Sequence, residues 1–300
     1  MLRLDTVLCN LCGSMRQRLR FEKWSRFLEH SFRVVECEAC GLVFVSPRPS
    51  AENIRSLYDA AYYRGAGFDT SVHYDQELEN PATKEEVTKR VLERLMVVKS
   101  PPADLLEVGP GMGHFMRAAA GAGFHAVGVE MSPYAASVLR KQGMEVLVGT
   151  LPEVKLPGSS FDAVVAVEVI EHLLDPKEFF SEVARILRPG GIFYYETGDI
   201  DCESARRLGP GWDYIMPEGH LYYFSPRTLS RYLKEAGFQI RYPLWFNPTR
   251  RLADFLDGLG LVNRTSPVLS GPKGAIARLI FYAMDLPLVR RPYPMAIRCY

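Results

Sequence analysis

From Asp104 onward the chain alternates short apolar runs with amphipathic stretches, and no other feature constrains its fold as strongly. DLLEVG, FHAVGVE, MEVLVG, FDAVVAV and IFYYET are apolar runs of strand length. They lack the regular polar alternation of a strand with one wet face, so both faces must be covered. Between them lie MGHFMRAAAGAG, SPYAASVLRKQG, DPKEFFSEVARILRPGG and SPRTLSRYLKEAGF, whose apolar residues recur at helical spacing. Strand and helix in strict succession imply a parallel sheet with helices on both faces. FQIRYPLWF and YPMAIRCY add two strands, which predicts a doubly wound α/β fold with a mostly parallel, seven-stranded sheet. Residues 247–292 break the alternation before the last strand and are expected to form a helical insertion.

Pro-rich punctuation divides the rest. SPRPS closes an N-terminal module over 1–50, and SPPAD separates a helical, aromatic stretch over 51–103 from the α/β domain over 104–300. Lys+Arg 36 against Asp+Glu 35 argues against a protein that coats nucleic acid by bulk charge. No apolar run approaches the roughly 18 residues of a membrane span. The first twenty residues carry no apolar signal core, so a cytoplasmic protein is expected.

Four of the six cysteines form two C-x-x-C pairs, Cys9/Cys12 and Cys37/Cys40. In a chain without a signal peptide such pairs favour metal over disulfides. Each pair can turn two thiolates toward one ion, and Gly13 and Gly41 supply the residue such a turn favours. Four thiolates make a closed site, so a structural zinc ion is expected.

The richest local motif is LLEVGPGMGHF, with Gly109, Gly111 and Gly113 directly after a strand and at the start of a helix. Glycines there let the backbone turn tightly and approach a ligand. Glu130 ends the next strand, where a carboxylate can accept from both hydroxyls of a ribose. The site reads as adenosine-binding. The dinucleotide fingerprint fails at His114 and Met116, and the Gly-Lys-Ser/Thr of a phosphate loop is absent, so the ligand lacks a pyrophosphate.

The run Glu107-Val-Gly109-Pro-Gly111-Met-Gly113 resembles motif I of the class I S-adenosylmethionine-dependent methyltransferases, which have a Rossmann-like fold. Glu130, GTLPEVKLPGSSFDAVVAVEVIEHLLDP, LRPGGIFYYET and GHLYYFSPRTLSRYLKEAGF continue the likeness in order over roughly residues 104–246. CEACGLVFVSPRPS resembles the zinc module of a group that methylates sugars and related natural products. The resemblance implies S-adenosylmethionine as cofactor. It puts Gly109, Gly111 and Gly113 along its methionine and ribose part, Glu107 behind the loop, and Glu130 on the ribose. Met131, Thr150 and Leu151 would flank the adenine, and Val167 and Glu168 would face the cofactor. Tyr62 and Tyr63 lie in a segment expected to fold over it.

Methyl transfer to oxygen gains from a base that takes the hydroxyl proton. Glu171 and His172 follow the fourth strand at the carboxyl edge of the sheet, where ligands bind in open α/β folds. The matching pair in sugar-modifying relatives is implicated in proton transfer. His220, before a helix, should return to the same edge and is the second candidate. The acceptor expected is a small molecule, a sugar or a lipid-linked glycan. Residues 247–292 would serve as a lid, a homodimer contact or a membrane-facing surface. Two alternatives predict other behaviour. In the first, an RNA methyltransferase grips RNA through the cysteine module, although the first fifty residues hold only eight basic against five acidic side chains. In the second, the fold is a degenerate scaffold organised by zinc.

Overall fold

A computed structural model describes residues 2–69, 82–240 and 295–298. The predicted insertion at 247–292 lies outside the described residues.

The N-terminal module is built on antiparallel pairing. A long hairpin joins β2 (Gln17–Ser25) to β3 (His30–Cys37), and β3 pairs with β4 (Val43–Val45). A small ladder links β1 (Leu4–Asp5) to β5 (Arg48–Pro49). Ser50 then caps α1 (Ala51–Leu57) by accepting from Asn53 N. A π-helical turn follows over Tyr62–Ala66, and Gly65 breaks it at φ +81°. Helix α2 (Ala82–Met96) leads into the α/β region.

Five parallel strands form the centre of that region: β6 (Asp104–Val108), β7 (His125–Glu130), β8 (Glu145–Val148), β9 (Phe161–Val167) and β10 (Leu187–Glu196). Their order is β10-β9-β6-β7-β8. The first strand, β6, therefore has β7 on one side and β9 on the other, which opens a crevice at its carboxyl end. The inner strands β6, β7 and β9 are buried on both faces over most of their length, whereas the edge strand β8 is partly exposed. Leu105 packs with Phe115 and Phe124 on one side, and Leu106 with Val127 and Phe179 on the other. At about 25 cal/mol per Å² of apolar surface, this double burial supplies most of the drive for the layered fold.

The helices follow the sequence pattern. They are α3 (His114–Gly121), α4 (Pro133–Lys141) capped by Ser132, and α5 (Pro176–Ile186) capped by Asp175. Helix α5 stops at Ile186, earlier than its Gly-Gly terminus suggested. Leu187 already pairs with Phe161, and a bulge carries Pro189 to Gly191 within β10. A short α6 (Glu203–Leu208) precedes β11 (Tyr222–Tyr223). Ser225 and Thr228 form a capping box for α7 (Pro226–Glu235). At the β10 edge, β13 (Met295–Arg298) lies antiparallel to both β10 and β12 (Phe238–Ile240).

Strand β11 does not join this sheet. It pairs with β4, so the N-terminal module completes a four-stranded sheet with a strand drawn from the α/β region. Ile200, Ala205, Trp212 and Ile215 pack on one face of that sheet against Phe32, Val34 and Val43.

Candidate functional site

The crevice has two ends. At the first, three glycines after β6 adopt left-handed backbone: Gly109 at φ +68°, Gly111 at +56° and Gly113 at +74°. At two of them a side chain would also crowd its neighbours. A Cβ on Gly109 would lie 2.8 Å from Val169 Cγ2, and one on Gly113 would lie 2.6 Å from Met144 Sδ. The loop can therefore lie against a ligand with only its backbone outward.

Two buried carboxyls stand behind this loop. Glu107 is 6% exposed, and its Oε2 has no partner. Burial pushes its acid up to about 8, against a weaker opposing hydrogen bond from the Met116 amide. Glu130 is 5% exposed at the end of β7. Its Oε1 accepts from Ser132 N at 2.8 Å and from the Tyr63 hydroxyl at 3.1 Å, while burial raises its pKa. Tyr63 thus brings the aromatic segment onto the carboxylate that the sequence assigned to a ribose. Tyr62 is also buried and stacks on Phe68 at 5.1 Å. Met131 is half-buried beside Glu130, Thr150 is half-buried, and Leu151 turns into the core.

The donor set fits an adenosine cofactor bearing an amino acid. An unpartnered buried oxygen can receive an ammonium, a carboxylate at the strand end can receive two hydroxyls, and between them lies a loop of three glycines whose Pro110 and Met112 side chains are buried.

The second end is assembled from five segments. Val167 ends β9 and Glu168 follows it, and Glu168 holds a left-handed φ of +52°, which is strained for a side-chain-bearing residue. Protein atoms crowd Glu168 while its surface stays accessible, as expected of a side chain lining a cleft. Burial first, and then the neighbouring Glu171, raise its pKa well above the carboxylate range. The neighbouring carboxyl Glu171 is raised as well, chiefly by its burial.

Glu171 is fully buried. It accepts from the Tyr214 hydroxyl at 2.7 Å and from Thr197 Oγ1 at 2.9 Å. The Tyr214 hydroxyl itself accepts from Gly198 N at 2.8 Å. The next residue, His172, is half-buried and reachable. Its Nδ1 lies 3.0 Å from Gly219 O and 2.8 Å from the Tyr58 hydroxyl. A carbonyl oxygen can only accept, so Nδ1 carries the proton and Nε2 keeps its lone pair. His220 repeats the arrangement, with Nδ1 2.8 Å from Tyr214 O and its ring 4.6 Å from that of His172. Burial lowers the pKa of both imidazoles, that of His220 furthest, so both are neutral near pH 7.

The structure thus brings Glu168, Glu171, His172 and His220 together. Ligating atoms of the last three lie within 4.8 Å of one another. Glu171 already takes one donor on each carboxyl oxygen, which marks the group as a hydrogen-bonded network. Tyr58, Thr197 and Tyr214 complete it and were not foreseen. Tyr58 lies in the aromatic segment that the sequence singled out, whereas no local pattern marks Tyr214.

The four sequence-paired cysteines also converge. Cys9 Sγ lies 3.4 Å from Cys40 Sγ, and Cys12 Sγ 3.5 Å from Cys37 Sγ. The two turns are alike: Gly13 N donates to Cys9 O at 2.7 Å and Gly41 N to Cys37 O at 2.8 Å. Ligating atoms of all four lie within 4.8 Å of one another, a spacing suited to a metal ion. At Cys37 the penalty of burial is outweighed by amide donors from Cys40 and Ala39, and its thiol falls to about 7.

Comparison with known proteins identifies the family of the domain. A family model for a methyltransferase domain matches residues 54–242. A protein of Mycolicibacterium smegmatis named a probable S-adenosylmethionine-dependent methyltransferase is 32% identical over 139 residues, covering 46% of this chain and 52% of that relative. The chain thus spans about half the length of this relative. A ubiquinone biosynthesis O-methyltransferase of Xylella fastidiosa is 28% identical over 193 residues, covering 57% of this chain and 74% of that relative. Among solved structures, a chain from the complex of the Haloferax volcanii Trm112 methyltransferase activator with a methyltransferase superposes with a TM-score of 0.50 at 16% identity. It covers 75% of this chain and 97% of its own length, which supports the fold.

Proposed function

The chain belongs to the methyltransferase-domain family, and we propose that it transfers a methyl group from S-adenosylmethionine to a hydroxyl of a small acceptor, a sugar or glycosylated metabolite. The observation that carries the reading is the pairing of the glycine loop and Glu130 with a reachable, neutral His172 at one sheet edge. The cofactor supplies an activated methyl on sulfonium, so the protein mainly positions and deprotonates.

Glu130 holds the ribose hydroxyls and Glu107 the amino group, while the loop backbone leaves room for the chain between them. His172 Nε2 takes the acceptor proton. Its Nδ1–H stays on Gly219 O, which fixes the ring and stabilises the imidazolium formed. Tyr58 closes the same ring from the aromatic segment. Glu171, held by Tyr214 and Thr197, braces the turn below. The sugar class follows from the likeness of CEACGLVFVSPRPS to the module of sugar-modifying methyltransferases.

The four cysteines hold a structural zinc ion in this reading. A tetrahedron of thiolates at about 2.3 Å from zinc has edges near 3.8 Å. The 3.4 and 3.5 Å sulfur distances fit once an ion spreads them slightly. Purified protein should carry about one zinc per chain by elemental analysis.

The function is tested by screening sugars and glycosides with methyl-labelled cofactor. Label in a sugar ether, lost in His172→Ala, supports the reading. Labelled RNA instead would replace it with the nucleic-acid reading.

A further inference from the structure

Each cysteine turn is tied to a different end of the segment that carries Glu171 and His172. From the first turn, Asn10 reaches the N-terminus of α5. Its Nδ2 donates to Asp175 Oδ1 at 2.9 Å, and its Oδ1 accepts from Lys177 N at 3.2 Å and from the Tyr232 hydroxyl at 2.9 Å. Asp175 lies three residues beyond His172. From the second turn the chain runs directly into β4, where Val45 N donates to Leu221 O at 2.9 Å. Leu221 N in turn donates to Glu171 O at 2.8 Å. His172 therefore sits between two anchors, one on each side, and both lead back to the cysteines.

A third tie reaches the other histidine. Ser25, at the end of β2, donates from Oγ to Glu218 Oε1 at 2.9 Å. Glu218 is 7% exposed and its Oε2 has no partner, so the bond from Ser25 bears on a carboxyl with little other support. Glu218 opens the turn that supplies Gly219 O to His172 and then carries His220 itself. The glycine loop and Glu130, on β6 and β7, take part in none of these ties.

We propose that the cysteine module positions the histidine pair, and that Asn10 is the residue through which the state of the four-cysteine site is felt at His172. The proposal rests on the reading of the four cysteines as a metal site. Asn10 lies inside the turn between two ligating sulfurs. An ion that closes the turn fixes the Asn10 backbone and hence its reach to Asp175. Opening the turn removes the anchor on one side of His172 and leaves the cofactor end as it was. Asn10 is a positioning residue in this scheme, since it touches neither His172 nor the crevice.

The test uses full-length protein labelled with ¹⁵N-histidine, so no acceptor is required. Long-range ¹H–¹⁵N spectra read the tautomers of His172 and His220, assigned by single substitution. Elemental analysis reads zinc, and calorimetry reads S-adenosylhomocysteine affinity. Wild type should show both rings protonated at Nδ1. Asn10→Ala should keep its zinc and bind S-adenosylhomocysteine within about twofold of wild type. In the same variant a second form of His172 should rise to on the order of a tenth or more, while His125 stays unchanged. Asn10→Asp keeps the acceptor for Lys177 and Tyr232 but sets a second carboxylate against Asp175, so it should move His172 at least as far as Asn10→Ala does. Zinc removed by chelation should move His172 as Asn10→Ala does. An unmoved His172 in Asn10→Ala and in metal-free protein would overturn the positioning role. Wild type purified without metal would overturn the metal reading alone, because a response of His172 to Asn10→Ala would still establish the tie.

Discussion

The glycine-loop end and the histidine end of the crevice are built on different principles. The first comes almost entirely from two adjacent strands and their loops, with Glu107, the three glycines and Glu130 within 24 positions. The second draws Tyr58, Glu171, Thr197, Tyr214 and His220 from segments up to 162 residues apart. A site made from a continuous strand–loop–helix is preorganised by the backbone. A site made from five segments is preorganised by the hydrogen bonds between them, and it inherits the stability of whatever holds those segments. Substitutions should therefore separate cleanly: one end should change cofactor affinity, and the other should change chemistry at constant affinity.

The largest effect should come from His172→Ala. Loss of the base should lower methyl transfer by about 10²–10⁴-fold, with cofactor affinity within about twofold in calorimetry. A parallel loss of cofactor affinity would break the division between the ends. In the unsubstituted protein, transfer should rise with pH through a value below the ordinary histidine range, because burial lowers His172.

Next is Gly113→Ala. Its φ of +74° and a Cβ 2.6 Å from Met144 Sδ combine backbone strain with overpacking. The cost should be about 2–3 kcal/mol in urea unfolding. Here the glycine-loop end should prove a packing element as well as a binding one.

Tyr214→Phe sharpens the picture of the other end. The hydroxyl bridges Glu171 and Gly198 N, so its loss should cost about 1–2 kcal/mol of stability. The Tyr214 carbonyl remains, so His220 should keep its Nδ1 proton, as ring ¹⁵N shifts would report.

The smallest effect concerns protons at Glu107. Its acid is raised from 4.5 to about 8 in the folded chain, which holds that proton more tightly than the unfolded chain does. This contribution to stability is complete below 4.5 and is lost as pH rises through 8. An ammonium placed against the carboxyl should expel the proton. S-adenosylhomocysteine binding near pH 7 should then release on the order of one proton, seen as a buffer-dependent binding enthalpy. Glu107→Gln should abolish that dependence.

Much of the glycine-loop end was legible because its signals are local. The apolar runs mark buried strands, the glycines sit where the backbone turns left-handed, and Glu130 ends a strand as its position implied. The cysteine turns were legible for the same reason. Less of the histidine end could be read. His172 and His220 stood out as residue types, and their placement at one edge followed from topology. Tyr214 lies in an irregular stretch with no periodicity, and only the packing of Trp212 and Ile215 on the module's sheet brings its hydroxyl to Glu171. The pairing of β4 with β11 joins residues about 180 positions apart, and a two-residue strand carries no pattern to announce it. Helix α5 ended early because Leu187 gains a partner in Phe161, a tertiary contact that outweighs local helix signals.

The most direct test of the central claim is calorimetric titration of metal-replete protein with S-adenosylmethionine and S-adenosylhomocysteine, on wild type and on Glu130→Ala. Both ligands should bind wild type at micromolar affinity, and the loss of two hydroxyl contacts should weaken them about 100-fold or more in the variant. Equal affinity in the two proteins, or no binding to the wild type, would contradict it.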